Sequence, residues 1–155
     1  MLIKDILREK GEKVVTIGTG HTINEAIRRL NQHRIGALMV TGQDDEIAGI
    51  ITERDILTVC GEHCSRVDES PETSQTGCPV LVKDAMTRDI VIGVPDDDLN
   101  YAMGIMTKNR IRHLPVMKDG RLAGIISIGD LVNAHFEEKV LENRTLRDYI
   151  HGSAQ

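Results

Sequence analysis

Two seven-residue stretches of this chain carry the same groups in the same order. Residues 49–55 read GIITERD and residues 124–130 read GIISIGD. Each has a glycine, two isoleucines, a hydroxyl residue and an aspartate three positions after the hydroxyl. The apolar start is typical of a strand and the polar end of the first turn of a helix. A hydroxyl and a carboxylate therefore recur together at a predicted strand-to-helix junction.

The hydroxyl and the carboxylate suit a phosphorylated sugar. Backbone amides at a helix N-terminus are unpaired and the helix dipole is positive there, so the junction favours phosphate. Thr52 and Ser127 add a hydroxyl donor beside those amides. Asp55 and Asp130 present a carboxylate, which only accepts hydrogen bonds and can take two donors at once. The vicinal 2′- and 3′-hydroxyls of ribose are such a pair of donors.

The same spacing is also that of a helix cap. In a T-x-x-D or S-x-x-D motif the acid can satisfy the first backbone amides of its own helix. An aspartate has two carboxylate oxygens, so capping and ligand binding can coexist. The residues alone leave both roles open.

The likeness between the two halves extends well beyond these stretches. Four more pairs of segments match, at an offset of 79 positions for the first pair and 76 for the other three, against 75 for the heptads. In chain order they are IKDIL (3–7) with VKDAM (82–86), VVTI (14–17) with IVIGV (90–94), TINEAIRRLNQHR (22–34) with DLNYAMGIMTKNR (98–110), and IGALMV (35–40) with IRHLPV (111–116). A match of this length indicates an internal duplication.

Each half predicts the element order β-α-β-β-α, so the fold class is α+β. Apolar residues recur at helical spacing after Thr22 and Glu25, which form a predicted capping box, and after Asp98, the expected N-cap of the matching helix. The predicted hairpins and the helices that follow them are 37–40 with 47–52 and then 53–60, and 114–117 with 122–127 and then 129 onward. We expect the two halves to pack through their sheets with pseudo-two-fold symmetry.

The duplication divides the chain into four predicted parts. They are motif 1 with an N-terminal segment (1–60), a linker (61–79), motif 2 (80–135), and a C-terminal helix and tail (136–155). The long C-terminal helix, predicted over 133–150, has more apolar surface than a small module covers. That surface consists of Phe136, Val140, Leu141, Leu146 and Tyr149. We expect it to belong to a homodimer.

With these features the chain resembles the CBS domain. The hairpin segments GALMV and HLPVM, followed by GIITERD and GIISIGD, carry the resemblance. The tandem pair resembles a Bateman module that covers residues 1 to about 135. This leaves no room for an attached enzyme or transporter, so the chain looks like a stand-alone CBS-pair protein of the bacterial type.

The resemblance implies a non-enzymatic regulatory module that senses energy or redox state. It implies binding of adenosine compounds in clefts between the two motifs, with AMP as the first expectation and ADP, ATP, NAD(H) or S-adenosylmethionine as further ligands. It also implies that Thr52 and Ser127 contact phosphate and that Asp55 and Asp130 hold ribose. The partner that reads the signal is not identified by any residue pattern.

Cationic residues distinguish the two halves. Arg112 and His113 precede the second hairpin, where the first half has Gly36 and Ala37. In nucleotide-binding relatives cations at this position reach the phosphates, and arginine offers a planar fork that suits phosphate oxygens. The alternatives are a solvated helix-end charge and a half-buried imidazole. Arg54 is a further candidate, present only in the first heptad, so we expect the two clefts to differ in ligand or affinity.

Adenine is expected to lie against aliphatic side chains. The chain has only three aromatic residues, Phe136, Tyr101 and Tyr149, to stack on a base. The predicted walls of the clefts are Ile17, Met39, Val94 and Pro115.

Composition and charge exclude several classes of protein. The chain has 155 residues, 40% hydrophobic and 28% charged, which is ordinary for a globular protein. Its net charge of −5 disfavours non-specific nucleic-acid binding. No run approaches the roughly 20 apolar residues of a membrane span, and the charged N-terminus does not resemble a secretory signal. We expect a cytoplasmic protein with no nucleic-acid or membrane partner.

Metal-binding and catalytic interpretations find little support. Cys60, His63, Cys64 and Cys78 match no common zinc spacing, and we expect thiols in a variable linker and no metal. The segment VVTIGTGHTINEAI (14–27) imitates a dinucleotide fingerprint but has isoleucine at the third glycine position, and the matching segment of the second half lacks these glycines.

The competing hypothesis from another class is a ligand-free dimeric scaffold that acts through the C-terminal helix.

Overall fold

The structure of the protein is a computed structural model. It describes residues 1–11, 13–64 and 78–152, and within these ranges it leaves out the side chains of residues 63, 64, 146–148 and 150–152. Most of the predicted linker 61–79, the side chains of His63 and Cys64, and that of Leu146 therefore lie outside the described residues.

The described part of the chain contains six helices and five strands. In chain order they are α1 (Ile3–Lys10), β1 (Thr16–Gly18), α2 (Ile23–His33), β2 (Ala37–Thr41), β3 (Ile47–Thr52), α3 (Glu53–Cys64), α4 (Val82–Ala85), α5 (Leu99–Asn109), β4 (His113–Lys118), β5 (Arg121–Ser127) and α6 (Ile128–Gly152). This order confirms the mixed α and β fold with two repeats. The chain forms two compact units, one from Val14–Ile90 and the other from Met1–Lys13 with Val91–Gln155.

Hydrogen bonds between residues two or three positions apart explain where the matching helices α2 and α5 begin. The Thr22 hydroxyl accepts a hydrogen bond from the Glu25 amide, and the Glu25 carboxylate accepts one from the Thr22 amide at 2.8 Å. Asp98 accepts from the amide of Asn100 at 2.8 Å. The predicted capping box and N-cap are both confirmed. Each helix ends on an arginine in the left-handed conformation, Arg34 with φ 53° and Arg110 with φ 54°.

The Val14–Ile90 unit has a three-stranded sheet in the order β1-β2-β3. Strand β1 pairs with β2 in parallel, and β2 pairs with β3 as an antiparallel hairpin. Alternate residues of β2 face opposite sides of the sheet. Leu38 and Val40 pack in the unit's core with Ile51 of β3, while Met39, opposite Ile50, is buried outside that cluster.

The other unit has a shorter sheet, the antiparallel hairpin of β4 and β5. The segment 90–94, which matches β1 in sequence, is reduced to one parallel bridge between Gly93 and Val116. Pro95 follows directly, and the Asp97 carboxylate accepts a hydrogen bond from the Val94 amide at 2.8 Å. Both features favour a turn, so the chain leaves the sheet here. Leu114, Val116 and Ile126 of the hairpin lie in this unit's core with residues of α1, α5 and α6.

The segment that precedes each repeat packs in the unit of the other repeat. Leu2 forms an antiparallel bridge with Asp98, at the start of α5. Leu81 forms the equivalent bridge with Thr22, at the start of α2. Each compact unit therefore contains a helix from the leading segment of the other repeat, because α1 lies in the unit of the second repeat and α4 in that of the first.

Helix α6 extends the second repeat as one continuous helix. Leu131 and Ala134 face the core, whereas several large apolar side chains are exposed along its length. They are Ile128, Val132, Phe136, Val140, Leu141 and Tyr149. The first four recur every fourth residue and form a stripe on one side of the helix.

Candidate functional site

Both heptads lie at a strand-to-helix junction without an intervening loop. Thr52 is the last residue of β3 and Glu53 the first of α3. Ser127 is the last residue of β5 and Ile128 the first of α6. The hydroxyl therefore stands at the end of a strand and the aspartate in the first helical turn, as the sequence predicts.

At the first junction, Asp55 and Thr52 bond to each other reciprocally. Oδ2 of Asp55 accepts hydrogen bonds from the Thr52 amide and hydroxyl, both at 2.8 Å. The Asp55 amide in turn donates to the Thr52 hydroxyl at 3.4 Å. The carboxylate thus closes the start of α3, which is the capping role.

The second junction repeats this geometry. Oδ2 of Asp130 accepts from the Ser127 amide at 2.6 Å and from its hydroxyl at 2.8 Å. The Asp130 amide donates back to the Ser127 hydroxyl at 3.2 Å. Both carboxylates cap through one oxygen only. Oδ1 of Asp130 accepts no hydrogen bond from any residue that the structure describes.

The first helical amides are less available than the sequence suggests. The amides of Glu53 and Ile128, the first residues of their helices, donate to the carbonyls of Gly36 at 3.1 Å and Arg112 at 2.9 Å. The amide of the third residue in each helix donates to the hydroxyl, as described above. The expectation of unpaired amides is therefore wrong for two of the first three positions. An anion at either junction would depend more on side-chain cations.

Lys10 is a cation at the second junction that the sequence did not reveal. Its Nζ lies 2.6 Å from Oδ2 of Asp130 and donates to the carbonyl of Ile125 at 3.0 Å. Burial of the Asp130 carboxyl would raise its pKa, but the hydrogen bonds from Lys10 and Ser127 outweigh this effect and hold the pKa below its ordinary value. The match between the segments IKDIL and VKDAM indicates that each repeat has a leading segment. It does not indicate which junction that segment contacts.

Thr87 occupies a comparable place at the first junction. Ile50 and Thr87 exchange two backbone hydrogen bonds, both 2.9 Å long, which hold the segment after α4 against β3. The Thr87 hydroxyl then lies 3.5 Å from Oδ1 of Asp55. The leading segments thus bring a lysine to Asp130 and a neutral threonine to Asp55.

The backbone of each predicted cationic residue lies at or next to one of the junctions. Arg112 is exposed, and its carbonyl holds the first amide of α6, which fixes its backbone at the Asp130 junction. His113 is half-buried and opposite Ser127 in the β4–β5 hairpin. Arg54 is an exposed residue of α3 next to Asp55. Arg112 and His113 therefore flank one junction and Arg54 the other.

The predicted adenine walls fall into different environments. Met39 and Pro115 hold equivalent places, each in the middle of a hairpin strand opposite an isoleucine, and both are buried. Val94 is 46% exposed, whereas Ile17 is only 1% exposed and packs in the core of its unit. Ile17 therefore serves the core, because its side of β1 carries the unit's packing.

The cysteines and histidines give no metal cluster within the described residues. Cys60 and Cys78 are partly buried against the core of their unit. The described part of the chain has no group of three or more potential metal-ligating side chains. Among the described helices, none combines the length and apolar character that a bilayer crossing requires.

Comparison with known proteins identifies the two repeats. The family model for the CBS domain matches residues 3–62 and again residues 82–137. A mitochondrial CBS domain-containing protein of Arabidopsis thaliana, CBSX3, is 35% identical over 158 residues, which covers 97% of this chain and 72% of that protein. The uncharacterised protein MJ1426 of Methanocaldococcus jannaschii is 30% identical over 156 residues. The match covers 86% of this chain and 90% of that protein.

Solved structures show the same fold. The CBS-domain containing protein ATU1752 of Agrobacterium tumefaciens has a TM-score of 0.76 at 40% identity, over 86% of this chain and 92% of that one. The CBS domain pair of protein MJ0100, solved in complex with 5′-methylthioadenosine and S-adenosyl-L-methionine, has a TM-score of 0.73 at 24% identity, over 89% and 98% of the two chains.

Proposed function

Because this chain belongs to the CBS-domain family, we propose that it is a regulatory module that binds adenosine nucleotides at its two strand-to-helix junctions. AMP is the proposed ligand, with ADP, ATP and NADH as the other members of the class. The module itself carries out no chemistry. It reports the level of the nucleotide to a protein partner.

The observation that carries the proposal is the state of the Asp130 carboxylate. One oxygen is fixed by the Ser127 amide and hydroxyl and by Lys10, so the side chain is already held in place. The other oxygen keeps its lone pairs for donors from outside, because no described residue bonds to it. A ribose diol supplies such donors, and a pre-ordered acceptor loses little entropy on binding it.

The relatives add support of a general kind. The MJ0100 domain pair, which shares this fold, binds two adenosine compounds that differ in charge and in the group at the 5′ position. An adenosine ribose is what those two ligands have in common. The duplicated hydroxyl and aspartate of this chain are suited to that common part.

Regulation would follow from differential affinity. A ligand shifts a protein between two arrangements only as far as it binds one of them more tightly than the other. The Asp55 and Asp130 junctions each join a hairpin to a helix, so a ligand there contacts two elements of the same unit. Occupancy of the Asp130 junction would change the contacts at the start of α6, the longest of the described helices.

A thermal-shift titration tests the proposal. AMP, ADP, ATP, NADH, NADPH and S-adenosylmethionine are added to the full chain at millimolar concentrations, and ligands that bind only the folded state should raise the melting temperature. Asp55→Ala and Asp130→Ala should each reduce the shift with AMP. Asp44→Ala, in the exposed turn between β2 and β3, is the matched control and should leave it unchanged. No shift with any compound would refute nucleotide binding.

The exposed stripe of α6 favours a second candidate, a dimeric scaffold. Phe136 is 69% exposed and Val140 52% exposed, which is unusual for large apolar side chains unless a partner covers them. We propose that a second copy of the chain docks on this stripe. The scaffold and the nucleotide module are compatible, but only the scaffold survives if the thermal-shift screen fails and the chain is dimeric.

A further inference from the structure

The feature that separates the two junctions is Lys10. The caps match closely, since Oδ2 of each aspartate takes an amide and a hydroxyl from the residue three positions earlier. At the second junction Oδ2 of Asp130 also accepts a hydrogen bond from Nζ of Lys10 at 2.6 Å. At the first, the extra partner of Asp55 is the uncharged hydroxyl of Thr87 at 3.5 Å.

This difference changes the charge that a ligand would meet. At the second junction the ion pair with Lys10 neutralises the aspartate, and a second cationic residue, Arg112, is anchored there through its backbone carbonyl. At the first junction the position of Arg112 is taken by Gly36. There Glu53 and Arg54 carry opposite charges in the first turn of α3, so the charge of Asp55 remains.

The ammonium group of Lys10 also has a donor to spare. It has three N–H bonds, of which one points to Asp130 and one to the Ile125 carbonyl. The third can reach a phosphate oxygen without breaking either contact. Charge-assisted hydrogen bonds of this kind are stronger than neutral ones. Lys10 is 41% exposed and Asp130 25% exposed, so the pair is accessible but not fully solvated.

We propose that Lys10 makes the Asp130 junction selective for anionic adenosine ligands. The Asp55 junction, in contrast, binds uncharged or cationic adenosine compounds at least as tightly as it binds anionic ones. This inference rests on the proposed function, because it assigns a charge preference to each of the two sites. Lys10 acts on specificity through its charge. The aspartate that it contacts would hold the ribose in both kinds of ligand.

The test compares AMP with adenosine, which differ only in the 5′-phosphate. Calorimetric titrations use the full chain carrying Asp55→Ala, so that only the Asp130 junction remains. AMP should bind more tightly than adenosine, and Lys10→Met should weaken AMP binding about five- to tenfold while changing adenosine binding less than about twofold. Lys10→Arg, which keeps the charge, should preserve the preference for AMP.

Lys4→Met is the matched control. Lys4 is on the same helix and pairs with Asp96 at 2.8 Å, so this change removes the same charge from α1 without touching the junction. If Lys10→Met weakens AMP binding no more than Lys4→Met does, or weakens AMP and adenosine equally, the selectivity proposal is overturned while nucleotide binding stands. If neither ligand binds the Asp55→Ala protein, nucleotide binding at this junction itself fails.

A comparison of the two junctions needs no change at Lys10. In the Asp130→Ala protein only the Asp55 junction remains, and its ratio of AMP to adenosine affinity should be lower than the ratio in the Asp55→Ala protein. Raising the salt concentration should narrow the difference, because a charge preference is screened. Equal ratios at the two junctions would overturn the proposal even if Lys10→Met does not fold.

Discussion

A Cβ atom added to Gly49 would lie 2.6 Å from the carbonyl oxygen of Thr87, too close for any side chain. The Thr87 segment lies against β3 here through the two backbone hydrogen bonds with Ile50. The glycine that begins the heptad therefore permits the crossing of a second backbone. A Cβ added to Gly124, the first residue of the other heptad, would lie 2.5 Å from Cδ2 of Leu7, so here the glycine leaves room for a side chain of α1. The two heptads share their glycine because each repeat is crossed by a leading segment.

Replacing Gly49 by alanine should destabilise the protein. The obstacle is a backbone carbonyl, which moves only if the hydrogen bonds to Ile50 are disturbed, so we expect a loss of about 2 kcal/mol in the free energy of unfolding. Gly124→Ala should cost about half as much, since its obstacle is the end of the Leu7 side chain. Urea denaturation measures both.

Gly104→Ala is the control for this prediction. Gly104 is an exposed residue of α5 with no atom within 4 Å of an added Cβ, so alanine should stabilise the protein by about 0.5–1 kcal/mol. A Gly49→Ala protein as stable as the wild type would show that the Thr87 segment does not pack on β3 as described.

The stabilising effect of Asp130 should depend on pH. Its pKa in the folded protein lies below the ordinary value of 3.8, so the unfolded chain binds more protons in that range and stability falls as the pH falls. Its contribution should be complete above about pH 5 and disappear as the pH drops below 3.8 and through the folded pKa. The quantity to measure is the free energy of unfolding of the wild type minus that of Asp130→Asn. We expect this difference to be about 1 kcal/mol at pH 7.

Chemical denaturation of both proteins between pH 7 and pH 3 makes this measurement. Asparagine still accepts a hydrogen bond from the Ser127 amide, so the variant keeps a cap and loses mainly the charge. A difference that stays constant across this range would show that the carboxylate is not stabilised by its contacts with Lys10 and Ser127.

The ribose contact predicts that both sugar hydroxyls matter. With only one hydroxyl to donate, 2′-deoxy-AMP should bind about five- to tenfold more weakly than AMP, as judged by titration of the full chain. At the Asp55 junction NADPH should be disfavoured relative to NADH, because its 2′-phosphate replaces a donor with an anion next to a carboxylate that Lys10 does not neutralise. Superimposable titration curves for AMP and 2′-deoxy-AMP would exclude the diol contact while leaving other binding modes open.

Arg34 offers a test of backbone strain. It ends α2 with φ 53° and ψ 47°, a left-handed conformation in which a residue with a Cβ costs roughly 1 kcal/mol more than glycine. Arg34→Gly should therefore be more stable than Arg34→Ala by about that amount, since the two variants lose the same charged group. Thermal unfolding of the pair gives the difference, and equal stability would contradict the left-handed assignment.

Local features of this fold were predictable, whereas distant contacts were not. The bonds between Thr22 and Glu25 and between Thr52 and Asp55 join residues three positions apart, so spacing alone defines them. Lys10 lies 120 positions from Asp130, and nothing in the neighbourhood of either residue points to the other. The duplication predicted a leading segment for each repeat, but the exchange of these segments depends on tertiary packing.

The two sides of a strand illustrate the same limit. Alternation places Leu38 and Met39 on opposite faces of β2, but periodicity does not say which face is the core. Both sides of β2 are apolar, and Ile17 of the neighbouring strand β1 is apolar too, so Met39 and Ile17 looked equally suitable as ligand walls. The structure separates them, because Ile17 packs with Leu38 in the core and Met39 lies outside that cluster.

Self-association through α6 should depend on Phe136. A lysine at this position would place a charge in the middle of the exposed stripe, so Phe136→Lys should shift a dimer to a monomer at micromolar concentration in sedimentation equilibrium. Tyr101→Ser is the control, since Tyr101 is 58% exposed but belongs to α5 and not to the α6 stripe, and its loss should leave the dimer intact. If Tyr101→Ser dissociates the dimer and Phe136→Lys does not, the docking surface is α5. A wild-type chain that sediments as a monomer at every concentration would remove the scaffold hypothesis and leave the nucleotide module to act alone.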